Sequence, residues 1–178
     1  DVRDPACVGA GMTGCHATIH LAGPSSWRDI GSRALNDIVA GGARNVLHAA
    51  VGLPGHRVIH VSSVVAVNGA DQPVVFNEAS PFTLDDPRLR YAYAKREAES
   101  LCGRAMDLGA AVVIVNPAEV YGPADTSLVT AGNLVQFARS NPVLVCFGGT
   151  SVAHVDDVAT GIVAALTRGR PGERYILG

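Results

Sequence analysis

Residues 110–117, AAVVIVNP, stay apolar without alternation as far as Asn116 and Pro117. A strand with one wet face alternates apolar and polar side chains, whereas a strand apolar throughout is covered on both faces. CHATIHLAG (15–23) and HRVIHVSS (56–63) share that character, the second being rich in β-branched residues. Helical spacing lies between them. ALNDIVAGGARNVLHAAV (34–51) is closed by Gly52 and Pro54, and over 90–106 Tyr91, Ala94, Lys95, Ala98, Leu101 and Ala105 fall on one side. Beyond 117 the order is a loop, AEVYGPADTS, a helix over 130–140, a short apolar run PVLVCF (142–147), and a helix over 158–168. Asp156 or Asp157 is the expected N-cap of that helix, and RYILG (174–178) is the closing strand. Strands alternating with helices predict an α/β fold around a buried parallel sheet.

A chain of 178 residues fits one domain with a sizeable core, and 48% apolar against 17% charged composition excludes disorder. The formal net charge is −2, and no Lys/Arg cluster exceeds a pair, which argues against nucleic acid or an anionic membrane as partner. No apolar run approaches the roughly 18 residues that cross a bilayer, and DVRDPAC has none of the features of a signal peptide. Cys7, Cys15, Cys102 and Cys146 form no CxxC pair, so reduced thiols in a cytoplasmic protein are expected. His16 and His20 are four apart on an expected strand, about 13 Å along the chain, and lack a third ligand; no metal site is expected.

Residues 9–14, GAGMTG, match the dinucleotide fingerprint G-x-G-x-x-G letter for letter. That motif works only between a preceding strand and a following helix N-terminus. Here a polar, proline-broken segment precedes it and a strand follows. Asp4-Pro5 instead has the pattern of an N-cap and a proline in the first helical turn, so the stretch reads as a short glycine-weakened helix or a loop.

In RYAYAKREAE (90–99), residues four apart share a helix face, so Tyr91 can meet Lys95 and Tyr93 cannot easily do so. An isolated pair of this kind is ordinary on helices. Its setting is not. HLAG (20–23), NVLHAA (45–50), HVSS (60–63), YAYAK (91–95), NPAEVYGP (116–123) and HVDDVA (154–159) together resemble, in order, the extended short-chain dehydrogenase/reductase family with its NAD-dependent epimerase/dehydratase members. The C-terminal stretch is most similar to the dihydroflavonol-reductase-like branch.

The resemblance implies a Rossmann-like doubly wound parallel sheet, here incomplete. The family's first strands with their glycine-rich loop, and its C-terminal substrate part, are missing, and residues 1–178 form a partial NAD(P)-binding domain with the start of the substrate region. The strand at 15–23 then becomes an unpaired edge, open to association, for instance as a homodimer. The resemblance also implies hydride transfer between NADP or NAD and a carbonyl or alcohol carbon. In that chemistry Tyr91 is the general acid/base, Lys95 lowers its pKa and holds the cofactor, and Ser63 holds the substrate oxygen. Asp1 and Val2 are expected beside the adenine, Ala22 and Gly23 at the close approach to the cofactor, and Pro117 and Val120 at the nicotinamide. Nucleotide-sugar members carry Asn before VYGP and Arg four residues before the HVDD histidine. This chain has Glu119 and Thr150 there, and a carboxylate beside a diphosphate is repulsive. Glu119 is thus a substrate-side candidate, and an uncharged small-molecule carbonyl compound is the expected substrate. A nucleotide-sugar epimerase or dehydratase is the alternative, and a non-catalytic nucleotide-binding scaffold is a third reading.

Overall fold

The computed structural model of the chain describes residues 1–24, 27–142 and 148–178. Helix α1 (Pro5–Met12) is capped by Asp4, whose carboxylate accepts from the Ala6 and Cys7 amides, with Pro5 in the first turn as the sequence predicts. Strand β1 (Ala17–His20) follows, then the single turn α2 (Trp27–Ile30). The helix expected over 34–51 is divided: Asp37–Gly41 is π-helical and passes directly into α3 (Gly42–Val51). Strand β2 (Arg57–Val61) leads through a 3-10 turn, Val64–Ala66, and a long loop to α4 (Arg90–Asp107).

Strand β3 (Ala111–Pro117) is succeeded almost at once by β4 (Glu119–Tyr121), where a loop was expected. Helix α5 (Ala131–Arg139), strand β5 (Val152–His154), helix α6 (Val155–Arg168) and strand β6 (Arg174–Leu177) complete the order. Most of the apolar run at 142–147 lies outside the described residues. The cap of α6 is His154, whose Nδ1 accepts from the Asp156 amide; Asp156 and Asp157 fall in the first turn, where carboxylates favour the helix dipole, so the expected aspartate cap is corrected.

The main sheet has the order β1-β2-β3-β6, all parallel, so β1 is an edge as expected. Its two faces account for the unbroken apolar strands. Val58, Val112 and Ile114 meet α1, α3 and α4 on one side; Ile59, Val113 and Val115 meet α6 on the other. Val58, Ile59, Val112, Val113 and Val115 are essentially inaccessible, each such side chain contributing roughly 1.5–3 kcal/mol of burial. Strands β4 and β5 form a separate parallel pair at the carboxyl edge of the main sheet, continuing from β3 and leading into α6.

Gly122, in the VYGP stretch after β4, is required by space. A Cβ there would lie 2.8 Å from the Cβ of Val155 and closer still to its Cγ1, so the backbones meet only because the side chain is absent.

Candidate active site

In a parallel sheet each following helix returns with its N-terminus at the carboxyl edge, so the first turns of α4 sit where β2 ends. Tyr91 and Lys95 occupy those turns. Lys95 is 5% exposed and donates to the carbonyl of Val61 at 3.1 Å, two residues before Ser63. Its ammonium also lies over the Tyr91 ring, 5.8 Å from the centroid. Ser63 caps the 3-10 turn that packs against α4, its hydroxyl accepting from the Val65 amide at 3.4 Å. Val64 and Val65, directly after Ser63, form this turn. The neighbouring Ser62 is buried, and its hydroxyl has no partner among the described residues. Ser63, Tyr91 and Lys95 thus meet at one edge.

Lys95 is the only lysine among the chain's 14 Lys and Arg side chains; the rest are arginines. An arginine cannot release its charge, whereas a buried lysine readily does. Burial lowers Lys95 to about 8, partly opposed by the Glu99 carboxylate. The same burial raises Tyr91 above the ordinary tyrosine value. The expected lowering of Tyr91 by Lys95 is therefore not present in this arrangement, in which the ammonium lies over the ring and donates to the Val61 carbonyl.

Tyr93 belongs elsewhere. Its hydroxyl donates to the Leu84 carbonyl and accepts from the Asp86 amide, and its ring meets Phe82 edge-on. A cavity of about 570 Å³ on that outer side of α4 is lined by Tyr93, Arg90 and Glu97 and excludes Tyr91.

The remaining candidates are spread along the same edge. Ala22 and Gly23 follow β1, half-buried, and the nearest atom to a Cβ built on Gly23 is the Leu21 carbonyl oxygen at 3.9 Å. Pro117 is buried at the end of β3, paired with Leu177. The Val120 carbonyl already accepts from the Thr130 hydroxyl at 2.7 Å. Glu119 accepts from the Tyr121 hydroxyl at 2.9 Å, a bond that raises Tyr121, and also accepts from Asn133 at 3.4 Å. Val2 packs on Gly42 of α3, and Asn45 donates to its carbonyl, while exposed Asp1 is clasped by Arg3.

These residues suit the nicotinamide end of a dinucleotide. Lys95 uses one of three donors on Val61, and Gly23 leaves room for close approach. GAGMTG begins inside α1 and runs past its C-terminus, where carbonyls rather than amides are free, so the fingerprint is rejected by structure as by context. No group of three or more metal-ligating side chains occurs among the described residues, and none of the described helices is long and apolar enough to cross a membrane.

Sequence reasoning missed one part of this edge. Glu99 is 4% exposed and lies one turn beyond Lys95. It accepts from Asn116 at 2.6 Å and from Arg174 at 2.5 Å. The signal was available: positions 91, 95 and 99 share one face, and that face is otherwise apolar.

A parallel sheet covered on both faces, with a tyrosine, a lysine and a serine at its carboxyl edge, defines a Rossmann-like domain of the short-chain dehydrogenase type. The chain belongs to the NAD dependent epimerase/dehydratase family, whose model matches residues 1–178. It is 30% identical over 172 residues, 94% of its length and 50% of the other's, to a Synechocystis protein provisionally named dihydroflavonol 4-reductase. It is 30% identical over 170 residues, 94% of its length and 50% of the other's, to a 4-hydroxy-2-methyl-3-oxo-4-farnesyl-3,4-dihydroquinoline-1-oxide ketoreductase of Stigmatella aurantiaca. Among solved structures, the dTDP-glucose 4,6-dehydratase DesIV of Streptomyces venezuelae, with NAD and TYD bound, superposes with a TM-score of 0.82 at 25% identity, over 100% of this chain and 56% of that one. The chain thus spans about half the length of the curated relatives it matches.

Proposed function

We propose that the whole protein is an NAD(P)-dependent oxidoreductase that interconverts a carbonyl and an alcohol on an uncharged or hydrophobic small molecule. Residues 1–178 contribute part of the cofactor domain and the start of the substrate region. The observation that carries the reading is the placement of the only lysine, buried one turn from Tyr91 and bonded to the strand that delivers Ser63.

A nicotinamide, when bound, supplies or accepts the hydride. In the reducing direction the Tyr91 phenol donates a proton to the substrate oxygen, and Ser63 donates a hydrogen bond to the same oxygen. Lys95 holds the cofactor with its spare donors. Ala22, Gly23, Pro117 and Val120 line the cofactor side; Glu119 lies on the substrate side and disfavours a diphosphate. Asp1 and Val2 are proposed beside the adenine.

A second reading, nucleotide-sugar dehydration or epimerisation, draws on the fold shared with DesIV. The two are separated by assaying the full-length protein with NADPH and NADH on hydrophobic ketones and aldehydes, and with NAD on UDP-, GDP- and dTDP-sugars. Ketone reduction that falls about 10²–10⁴-fold in Tyr91→Phe, with NADPH binding retained, is expected. Turnover of a nucleotide sugar with none of the carbonyl compounds, or full activity in Tyr91→Phe, would overturn the proposal.

A further inference from the structure

Asn116 ends the apolar run of β3 and is fully buried. Its Nδ2 donates to the Ser63 carbonyl at 2.8 Å and to Glu99 Oε1 at 2.6 Å, so both protons of the amide are committed to acceptors. The reversed amide would set its oxygen against a carbonyl and a carboxylate, so the orientation is chemically fixed. The other oxygen of Glu99 accepts from Arg174 of β6 at 2.5 Å and faces Arg96 at 3.5 Å. The Ser63 carbonyl also accepts from the Ala66 amide at 3.0 Å, which closes the turn that Ser63 caps. A continuous chain therefore runs from β6 through Glu99 and Asn116 to the serine at the cleft.

We propose that Glu99 is a positioning residue with two effects: through Asn116 it fixes the Ser63 turn, and its carboxylate, one helical turn from Lys95, sets the charge of that lysine. Removing Asn116 breaks only the first; neutralising Glu99 with glutamine keeps an acceptor for Asn116 and removes only the second. Lys95 is also faced by His20 from β1, His60 from β2 and Tyr91 from its own helix. Both imidazoles stay neutral near pH 7, so Glu99 is the anion in that surround and Arg96 and Arg174 its counter-cations. The naming of Ser63 and Lys95 as the site rests on the function proposed above.

The test needs no substrate: Lys95 is the only lysine of residues 1–178, and in the full-length protein its signal is assigned by its loss in Lys95→Met. In protein labelled with 13C and 15N at lysine, the Lys95 titration midpoint is expected to fall by about one to two pH units in Glu99→Gln. It should rise in Arg174→Gln, which removes a neighbouring positive charge, and stay unmoved in Asn116→Ala. Exchange of the Ala66 amide should quicken about tenfold in Asn116→Ala and not in Glu99→Gln. A Lys95 midpoint indifferent to both Glu99→Gln and Arg174→Gln, or an Ala66 amide indifferent to Asn116→Ala, overturns the proposal. If Glu99→Gln does not fold, Arg174→Gln decides the electrostatic part. Because neither readout is turnover, failure here leaves the oxidoreductase reading to its own test.

Discussion

His20 and His60 are register partners on β1 and β2, and their rings stack at 5.4 Å between centroids, tilted by 33°. Both are buried, and neither ring nitrogen of His60 has a partner among the described residues. Burial first, and then the Lys95 charge, holds His20 down to about 4; burial, Lys95 and His20 hold His60 well below the ordinary value.

Acid sensitivity follows. The unfolded chain takes up protons near pH 6.5, while the folded chain resists until about pH 4 at His20, so stability is full above pH 6.5 and falls as pH drops through that window. His20 alone accounts for a loss of up to about 3 kcal/mol. Urea unfolding at pH 7 and pH 4.5 should show a smaller loss in the His20→Phe, His60→Phe double variant than in the parent. An equal loss in both would refute the assignment.

Lys95 carries the opposite trade. Its value of about 8, against 10.5 in the open chain, means that the folded state holds a charged amine at a cost throughout the range below pH 8. Lys95→Met is expected to raise stability at pH 7 by about 2 kcal/mol, the desolvation relief less the hydrogen bond to Val61. The advantage should shrink between pH 8 and 10.5, where the lysine sheds its proton. Thermal unfolding across that range is the check, and a Lys95→Met variant no more stable than the parent at pH 7 contradicts it.

Gly122→Ala is predicted to cost about 1–3 kcal/mol by forcing Val155 away from the turn after β4. The double variant with Val155→Ala should recover part of that loss in the same denaturation experiment. Independent, additive losses would show that the clash is elsewhere.

The 178-residue chain is predicted to bind NADPH poorly, because its one G-x-G-x-x-G stretch lies on the carbonyl-bearing end of α1. Calorimetric titration should show no saturation at micromolar concentrations; tight binding would mean that another set of amides holds the diphosphate.

Much of this was legible in residue order. AAVVIVNP announced a strand covered on both faces, Asp4-Pro5 announced the start of α1, and the spacing of Tyr91 and Lys95 chose between two tyrosines. The pair β4 and β5 was not legible, since each strand is three residues long and its partner lies about thirty residues away in the chain. Such pairing is made by tertiary contact, below the length at which periodicity speaks. The π-helical turn at 37–41 likewise has no compositional signature, and at α6 the preferred aspartates lost the cap to a histidine two residues before Asp156. Glu99 hid for another reason: on a helix a glutamate is usually solvated, and only the half-buried arginine and the buried asparagine opposite it reveal otherwise.

The solitary lysine has a practical reach beyond catalysis. Amine-directed dyes and crosslinkers, like enzymes that tag lysines, find no side-chain handle on the outside of this chain. A reagent that modifies a lysine here has entered the cleft, so the loss of that reactivity when a molecule is added measures how often the cleft is filled.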